Sequence, residues 1–254
     1  MWSRAVAIDM AKRCLVDSIY ASAQIEWITV TFSQTQQILD NLPVNGIRPN
    51  DIQFILNMRE AWTFVLDTLD KPINATYVRE LNKICGNGGG TFRESIVTIK
   101  GTSYTPPIPQ YADIASQLRE LRGMNDYIDK GIKYFEYLAK AQLFVDGNKR
   151  LAQLIANKVL IAEGVGILKI PDIKVTEFSN VLVDYYETGS YKLYNYLLNE
   201  CLQLVDFSGV IEYKGTPFTV SEVVTYLPLF VRSQYSSDEE CARANVEAYY
   251  RSLM

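Results

Sequence analysis

The sequence predicts a mainly all-α protein, a helical bundle that carries one small β-hairpin. Three observations lead to this expectation. Apolar residues recur at helical spacing along most of the chain, residues 151–162 are almost wholly apolar as in a helix buried on all sides, and a short stretch around Gly101 has the composition of paired strands. With 254 residues, 48% of them hydrophobic, the chain is long enough to bury a substantial core.

The helices of the first half are predicted from an apolar stripe at every third or fourth position. A capping residue or a proline precedes most of them, as Asn74 does after Pro72. The predicted helices cover residues 3–21, 33–41, about 51–69 and 75–85.

The second half shows the same periodicity, interrupted by glycine and proline. Helices are expected over residues 111–121, 126–141, 151–162, 175–187, 190–205, 220–232 and 237–252. We divide the chain into a main domain, residues 1–205, and a small α-rich appendage, residues 206–254, whose role the sequence leaves open; it is a candidate contact for a partner or a second copy.

Two segments have strand composition. Residues 93–106 read as two short strands around a turn at Gly101, after a glycine-rich stretch. Residues 206–220 have the pattern of a second hairpin.

Composition narrows the classes of partner. A net charge of −4 and a pI near 5.1 make a nucleic-acid partner unlikely, because such proteins need a basic face. No apolar run approaches a membrane span and no leader is apparent, so we expect no membrane partner and a cytoplasmic location. A homo-oligomer is compatible with the sequence.

The run Gln142–Arg150 (Q-L-F-V-D-G-N-K-R) has the chemistry of a phosphate-binding loop. Gly147 permits a tight turn that can point N–H groups into one concave site, and the dipole of a helix that starts there adds partial positive charge. Lys149 and Arg150 supply full charges. The alternative is a simple surface turn before a helix.

Two other residues of the run have expected roles. Asp146 is the available oxygen ligand for a Mg²⁺ ion that bridges two phosphates of an ATP-like nucleotide. Phe144 is expected to pin the loop to the core. The chain contains no histidine, so the side chain best suited to proton transfer near neutral pH is absent.

The run resembles the signature of the Fic/Doc family, H-x-F-x-[D/E]-G-N-[G/K]-R. The matching residues are Phe144, Asp146, Gly147, Asn148, Lys149 (the Doc-like variant) and Arg150. Residues 93–106 are similar to the family's target-docking flap, and Ser22–Trp27 (S-A-Q-I-E-W) is similar to its inhibitory segment, [S/T]-x-x-x-E-[G/N]. The resemblance covers roughly residues 10–200.

The resemblance implies a Fic-like helical fold and an activity. Fic enzymes transfer part of a nucleotide, usually AMP from ATP, to a hydroxyl of a target protein, and the signature histidine accepts the proton of that hydroxyl. By this resemblance Asp146 holds magnesium, and Ser22 and Glu26 belong to the inhibitory segment. The implied phosphate contacts are Gly147, Asn148, Lys149, Arg150 and Gln153, and the flap residues are Arg93, Ile96, Val97, Thr98 and Ile99.

Three positions depart from the family pattern. Gln142 stands in place of the histidine, and an amide cannot act as a general base, a loss that typically lowers rates by about 10²–10⁴-fold. Gln153 replaces a second arginine that binds phosphate and pairs with the inhibitory glutamate; a hydrogen bond from Gln153 to Glu26 is expected instead. Trp27 replaces a small residue, so the segment is expected to pack differently.

Three functions remain open from the sequence. The first is a nucleotide-binding Fic protein with impaired adenylyltransferase chemistry. The second is an active nucleotidyl- or phosphotransferase with a non-standard mechanism, since Doc-like lysines accompany phosphate transfer. The third is a non-catalytic module whose flap binds a peptide by strand addition. For Arg93, a position near the phosphates competes with a plain surface charge.

Overall fold

The computed structural model describes residues 4–205, 210–213, 216–219 and 234–252 and shows the predicted mainly helical fold. The helices are α1 (Arg4–Arg13), α2 (Leu15–Ile25), α3 (Phe32–Leu39), α4 (Pro49–Asp67), α5 (Ala75–Cys85), α6 (Tyr111–Arg122), α7 (Tyr127–Ala141), α8 (Asn148–Ala162), α9 (Val175–Thr188), α10 (Lys192–Tyr196) and α11 (Asp238–Ser252). The strands are β1 (Gly166–Leu168), β2 (Leu202–Leu204), β3 (Val210–Tyr213) and β4 (Thr216–Thr219).

Helix α8 forms the centre of the core. Every residue from Arg150 to Ile161 is buried, and α8 contacts α1, α4, α5, α7 and β1. The near absence of a polar face in its sequence is explained by this position, because each side of the helix meets another element. The loop that precedes α8 is therefore held on a rigid base.

Two predicted helices are corrected by the structure. The helix expected over residues 3–21 is divided at Cys14 into α1 and α2. The helix expected over residues 190–205 ends early, since one π-helical turn (Leu197–Cys201) follows α10 and the chain then enters β2. Strand β2 pairs antiparallel with β1, a partner distant in sequence that helical periodicity does not reveal.

The close approach of these two strands depends on Gly166. Its φ is +155°, and a Cβ atom placed there would lie 2.0 Å from the carbonyl oxygen of Gln203. A side chain at this position would therefore push β2 away from β1.

The strands expected within residues 93–106 do not form. The turn at Gly101 is present, with a φ of +85° and a hydrogen bond from Thr102 N to Ile99 O, but residues 91–110 contain no strand. Hydrogen bonds from side chains hold this flap, and not a backbone ladder between two strands. Arg93 ties its two ends together, and Glu187 accepts hydrogen bonds from Thr102 and Ser103 near the turn.

The second predicted hairpin is confirmed. Strands β3 and β4 pair antiparallel, with Val210 opposite Thr219 and Tyr213 opposite Thr216. Helix α11 contacts β3, and β4 contacts α1. The helix expected over residues 220–232 lies outside the described residues. Among the described residues, no helix combines the length and apolarity that crossing a membrane requires.

Candidate active site

The loop between α7 and α8 is formed by two left-handed residues. Gln142 ends α7 with φ 45° and ψ 57°, and Gly147 precedes α8 with φ 82°. Between them Phe144 is fully buried, with its ring centroid 5.1 Å from that of Phe92, which is the position expected of a hydrophobic pin. The loop thus turns the chain directly from one core helix into the next.

The side chain of Asn148 holds the loop in shape. Its Oδ1 accepts a hydrogen bond of 3.0 Å from Phe144 N, and its Nδ2 donates to Phe144 O at 2.7 Å and to Gln142 Oε1 at 3.0 Å. Asn148 is only 5% exposed. Its side chain is therefore structural, and a contact to phosphate would come from its backbone N–H at the start of α8.

Both the nitrogen and the oxygen of the Gln142 amide form hydrogen bonds. Nε2 donates to Ala139 O at 2.7 Å, while Oε1 accepts from Asn148. At the position where the family pattern has histidine, this chain has a side chain that closes the loop. It offers no basic atom to the cleft.

Glycine at 147 allows the loop to lie against the end of α5. A Cβ atom on Gly147 would lie 2.9 Å from Gly86 Cα and 3.0 Å from Asn82 Nδ2. Asn82 in turn donates to Asp146 O at 2.9 Å. Backbone packing against α5 therefore places Asp146 and the first turn of α8 side by side.

Asp146 and Arg150 form an ion pair one helical turn apart. Arg150 Nη2 lies 2.7 Å from Asp146 Oδ1, and Asn87 N donates to Asp146 Oδ2 at 3.1 Å. Burial raises the pKa of the Asp146 carboxyl, but the charge and hydrogen bond of Arg150 and the N–H groups of Asn87 and Gly147 outweigh it, so the pKa lies below its ordinary value. The carboxylate is ionised at neutral pH.

Arg150 is buried beneath the cleft. Besides Asp146 it donates to Cys85 O, and its guanidinium carbon lies 5.0 Å from the centroid of the Phe54 ring. Its Nε is buried without a hydrogen-bond partner, 3.7 Å from Glu26 Oε1. Arg150 therefore orients Asp146 and places positive charge under the loop.

Asp146 suits a Mg²⁺ ion that is held jointly by the protein and a bound nucleotide. Its side chain is 36% exposed, and its two oxygens accept hydrogen bonds from Arg150 and Asn87 while lone pairs remain for a cation. The described residues contain no cluster of three or more carboxylate or thiol ligands. A Mg²⁺ ion here would take Asp146 and otherwise phosphate oxygens and water, the pattern usual for nucleotide-bound magnesium.

The segment Ser22–Trp27 lies over the start of α8. Lys149 Nζ lies 3.5 Å from Glu26 Oε2 and donates to Ile25 O at 3.4 Å. Glu26 follows the last turn of α2, so it stands at the C-terminus of that helix. Its carboxylate thus occupies the neighbourhood of both cations of the loop.

The expected hydrogen bond between Glu26 and Gln153 is not formed. Gln153 Oε1 accepts from Ser22 Oγ at 3.0 Å, and its Nε2 is buried without a partner. Glu26 pairs with Lys149 and Arg150 instead. The sequence did not indicate the partnership with Lys149, because the two residues are more than a hundred positions apart.

Trp27 has a left-handed backbone, with φ 59°. This conformation explains why the family pattern places glycine or asparagine here, the residues that adopt it most easily. The indole is 77% exposed, so the strain is not offset by burial of the ring.

Both expectations for Arg93 are wrong. Arg93 is 3% exposed, so it is not a surface charge, and its guanidinium faces backbone carbonyls, so it is not a phosphate contact. Arg93 is also not among the residues that line the cleft, and hydrogen bonds to backbone carbonyl oxygens hold its guanidinium. The acceptors are the carbonyls of Gln142 (2.5 Å), Pro107 (2.6 Å), Ser95 (2.7 Å), Pro106 (3.2 Å) and Ala141 (3.5 Å).

A cleft of about 480 Å³ lies above the loop. Its floor is the loop itself, its walls are the flap, the end of α2 and one face of α9. Predicted residues that line it are Glu26, Thr98, Ile99, Gln142, Asp146, Gly147, Asn148 and Lys149. Ser22, Arg150 and Gln153 lie beneath, around a void of about 10 Å³.

Other parts of the cleft differ from expectation or were not foreseen. Ile96 and Val97 of the flap are not among its lining residues, and Ile96 is 68% exposed. The α9 wall, which includes Phe178, Ser179 and Tyr186, was read from the sequence only as helix packing. No motif marks these residues, so their role follows from the fold alone.

Comparison with known proteins agrees with this geometry. Residues 72–160 match the model of the Fic/DOC family. The protein adenylyltransferase Fic of Drosophila melanogaster is 28% identical over 187 residues, which cover 67% of this chain and 37% of that protein. The protein of the same name from Drosophila persimilis is 27% identical, covering 67% and 36%. The chain therefore spans little more than a third of the length of these relatives.

Solved structures share the fold. Fic-1 (residues 134–508) from C. elegans superposes with a TM-score of 0.62 at 20% identity, covering 78% of this chain and 63% of that one. A Fic domain-containing signaling protein from Bacteroides thetaiotaomicron gives a TM-score of 0.64 at 17% identity, covering 79% and 87%. The family-model match and the shared fold lead to one assignment: residues 72–160 form a domain of the Fic/DOC family.

Proposed function

We propose that this protein binds an ATP-like nucleotide with Mg²⁺ at the loop between α7 and α8, and that its adenylyltransferase chemistry is impaired. One observation carries the proposal. The groups suited to phosphate and metal line the floor of the 480 Å³ cleft, while the amide that replaces the general base is hydrogen-bonded at both ends, to Ala139 and Asn148.

Phosphate binding is supported by two groups on the floor and one beneath it. The first N–H groups of α8 have no intrahelical acceptor, and the helix dipole favours an anion in front of them. Lys149 lines the cleft with a mobile point charge. Arg150 contributes from beneath by fixing Asp146, the residue that would hold magnesium between two phosphates.

Impaired transfer is supported by the surroundings of Gln142. A target hydroxyl must lose a proton when it attacks phosphorus, and Gln142 has no basic atom to receive it. Tyr186 also lines the cleft, but burial raises the pKa of its phenol, so it stays neutral and accepts no proton near pH 7. A reaction slower than that of a histidine enzyme is the consequence.

The type of chemistry is inferred from the relatives. They are named protein adenylyltransferases, which supports AMP transfer to a protein hydroxyl as the reaction this site approximates. The chain spans only 37% of the length of these relatives, so that a protein hydroxyl is the acceptor is also proposed and not shown.

Calorimetric titration with Mg·ATP tests the proposal. Wild type should bind, and Lys149→Ala should bind about 10- to 100-fold more weakly, the effect of one charge-assisted contact. Lys12→Ala, an exposed lysine of α1, serves as the matched control and should bind as wild type does. No detectable binding by wild type or by Glu26→Gln, in which the competing carboxylate is neutral, would overturn the proposal.

A second candidate function, docking of an extended peptide, is favoured by the flap. Its residues 96–99 belong to no helix or strand, and Ile96 is largely exposed. A segment whose backbone has no strand partner can pair with an extended peptide. In a Gln142→His background, Val97→Pro should reduce labelling of a target while leaving Mg·ATP binding unchanged. Unchanged labelling would exclude the flap as the docking edge.

A further inference from the structure

A second cavity, of about 540 Å³, lies between the end of the flap, α6 and α7. Neighbouring residues of the chain line the two spaces. Tyr185 lines this cavity while Tyr186 lines the cleft, and Ala141 and Leu143 line this cavity while Gln142 lines the cleft. The two spaces therefore lie on either side of one layer of the protein. The second space, here named the α6–α7 cavity, has a volume within the range of about 300–1,000 Å³ that is usual for small-molecule sites.

The walls of the α6–α7 cavity are mostly apolar and aromatic. Ile114, Leu121 and Leu143 are at most 6% exposed and supply buried apolar surface. The rings of Tyr104 and Tyr185 also line the cavity. Because planar groups pack closely on tyrosine rings, walls of this composition favour a ligand with a planar apolar body.

The charges that line the α6–α7 cavity do not cancel in its buried part. Glu136 is 6% exposed, and Lys133 Nζ lies 2.8 Å from its Oε2, so these two charges neutralise each other. Asp113 is exposed, and water screens its charge. Lys140 is half-buried and forms no ion pair with any carboxylate of the described residues. Within the described part of the chain, the cavity thus holds one cation without a counter-ion.

Two aromatic rings and one carbonyl hold the amine of Lys140 in place. Its Nζ lies 5.2 Å from the centroid of the Tyr104 ring and 5.0 Å from that of Tyr185. The amine donates one hydrogen bond, of 3.3 Å, to Tyr185 O. An ammonium group has three N–H donors, so two remain for a ligand. Because these contacts already position the amine, binding an anion there costs little further ordering.

We propose that the α6–α7 cavity is a binding site for a small organic carboxylate with a planar apolar body. The carboxylate accepts hydrogen bonds from Lys140, and the body packs against Tyr104 and Tyr185. One cation without a counter-ion matches the single charge of a carboxylate, whereas sites for phosphate groups bring several donors together. The proposal is independent of nucleotide binding, because no residue lines both this cavity and the cleft.

Indole-3-acetate is the probe, and indole-3-acetamide is its neutral match. Both are titrated into the ¹⁵N-labelled protein, and the amide resonances that shift locate the site. Lys140→Met removes the charge and keeps the length of the side chain, while Lys140→Arg keeps the charge. Lys130→Met is the matched control, because Lys130 lies on the same helix, 5.1 Å from the ring of Tyr127, and lines neither cavity.

The expected result is a preference for the acid that depends on Lys140. Wild type should bind indole-3-acetate about 5- to 30-fold more tightly than the amide, as one charge-assisted hydrogen bond at a half-buried amine allows. The largest shifts should fall at Tyr104, Lys140 and Tyr185. Lys140→Met should bind the two probes equally, whereas Lys140→Arg and Lys130→Met should keep the preference. Acetate, which has no apolar body, should bind at least about tenfold more weakly than indole-3-acetate.

Several results would overturn the proposal. They are no binding of indole-3-acetate by wild type, equal affinity of wild type for acid and amide, and a preference for the acid that survives Lys140→Met. Shifts centred on Asp146 and Lys149 would place the probe in the cleft and would also overturn it. The first two results are measured on wild type, so the test does not depend on the folding of a variant. Titration with Mg·ATP remains a separate test of the proposed function.

Discussion

Asn148 Nδ2 donates a hydrogen bond of 3.0 Å to Gln142 Oε1, joining the first residue of α8 to the residue that ends α7. With the bond from Gln142 Nε2 to Ala139 O, this contact makes the substituted signature residue a brace of the loop. Gln142, which replaces the general base, therefore also stabilises the loop between α7 and α8.

Removing this brace should lower stability. Gln142→Met keeps the length of the side chain but loses both hydrogen bonds, so we expect the free energy of unfolding to fall by about 1–3 kcal/mol in urea titrations. Gln36→Met, which loses one exposed hydrogen bond to Asp40, should change it by less than about 0.5 kcal/mol. Equal stability of Gln142→Met and wild type would show that the amide is not a brace.

Neutralising Glu26 should strengthen nucleotide binding. Its carboxylate lies 3.5 Å from Lys149 Nζ and 3.7 Å from Arg150 Nε, so it competes with phosphate for their charge. Glu26→Gln should bind Mg·ATP about two- to tenfold more tightly, and less so at high salt, as screened ion pairs of this kind allow. Asp17→Asn, which removes an acid of α2 paired with Lys169, should have no effect. Weaker binding by Glu26→Gln would contradict the inhibitory role.

Alanine at position 147 should disrupt the loop. It would force a side chain into the left-handed region and 2.9 Å from Gly86 Cα, so the free energy of unfolding should fall by at least about 1–2 kcal/mol. Gly88→Ala is the matched control, because its backbone is not left-handed and nothing lies within 4 Å of the added carbon. Should both variants unfold at the same urea concentration, the tight approach to α5 would be unimportant.

Much of the fold followed from local pattern, whereas the site depended on distant contacts. Helix α8 could be predicted because a run of apolar residues needs packing partners on every side. The turn at Gly147 could be predicted because glycine adopts the left-handed conformation easily. Strand β2 pairs with β1 across more than thirty residues, so no local pattern separated it from a helix end. The contacts of Lys149 with Glu26 and of Arg93 with backbone carbonyl oxygens also form only in the folded chain. The sequence therefore did not reveal what these side chains do.

A buried lysine gives a pH dependence of stability. Lys158 is 2% exposed and donates to Thr68 O and Leu69 O at the end of α4, and burial lowers the pKa of its ammonium to about 8. The unfolded chain keeps this proton to about pH 10.4. Between these values the unfolded state binds more protons, so the free energy of unfolding should rise from about pH 8 to pH 10.

The contribution of Lys158 is isolated by comparison with Lys158→Met. Urea titrations at pH 7, 8, 9 and 10 should show a rise for wild type that the variant lacks, and little difference in slope below pH 8. Parallel pH profiles for the two proteins would show that the amine titrates normally in the folded state.

Restoring histidine at position 142 tests whether the site binds nucleotide and lacks only a base. Wild type, Gln142→His and Gln142→His/Asp146→Asn are incubated with magnesium, ATP labelled in the α-phosphate and a cell extract, and protein-bound label is measured. We expect little label with wild type, an increase of about 10²–10⁴-fold with Gln142→His, and loss of that increase in the double variant. Strong Asp146-dependent labelling by wild type that histidine does not increase would contradict this expectation.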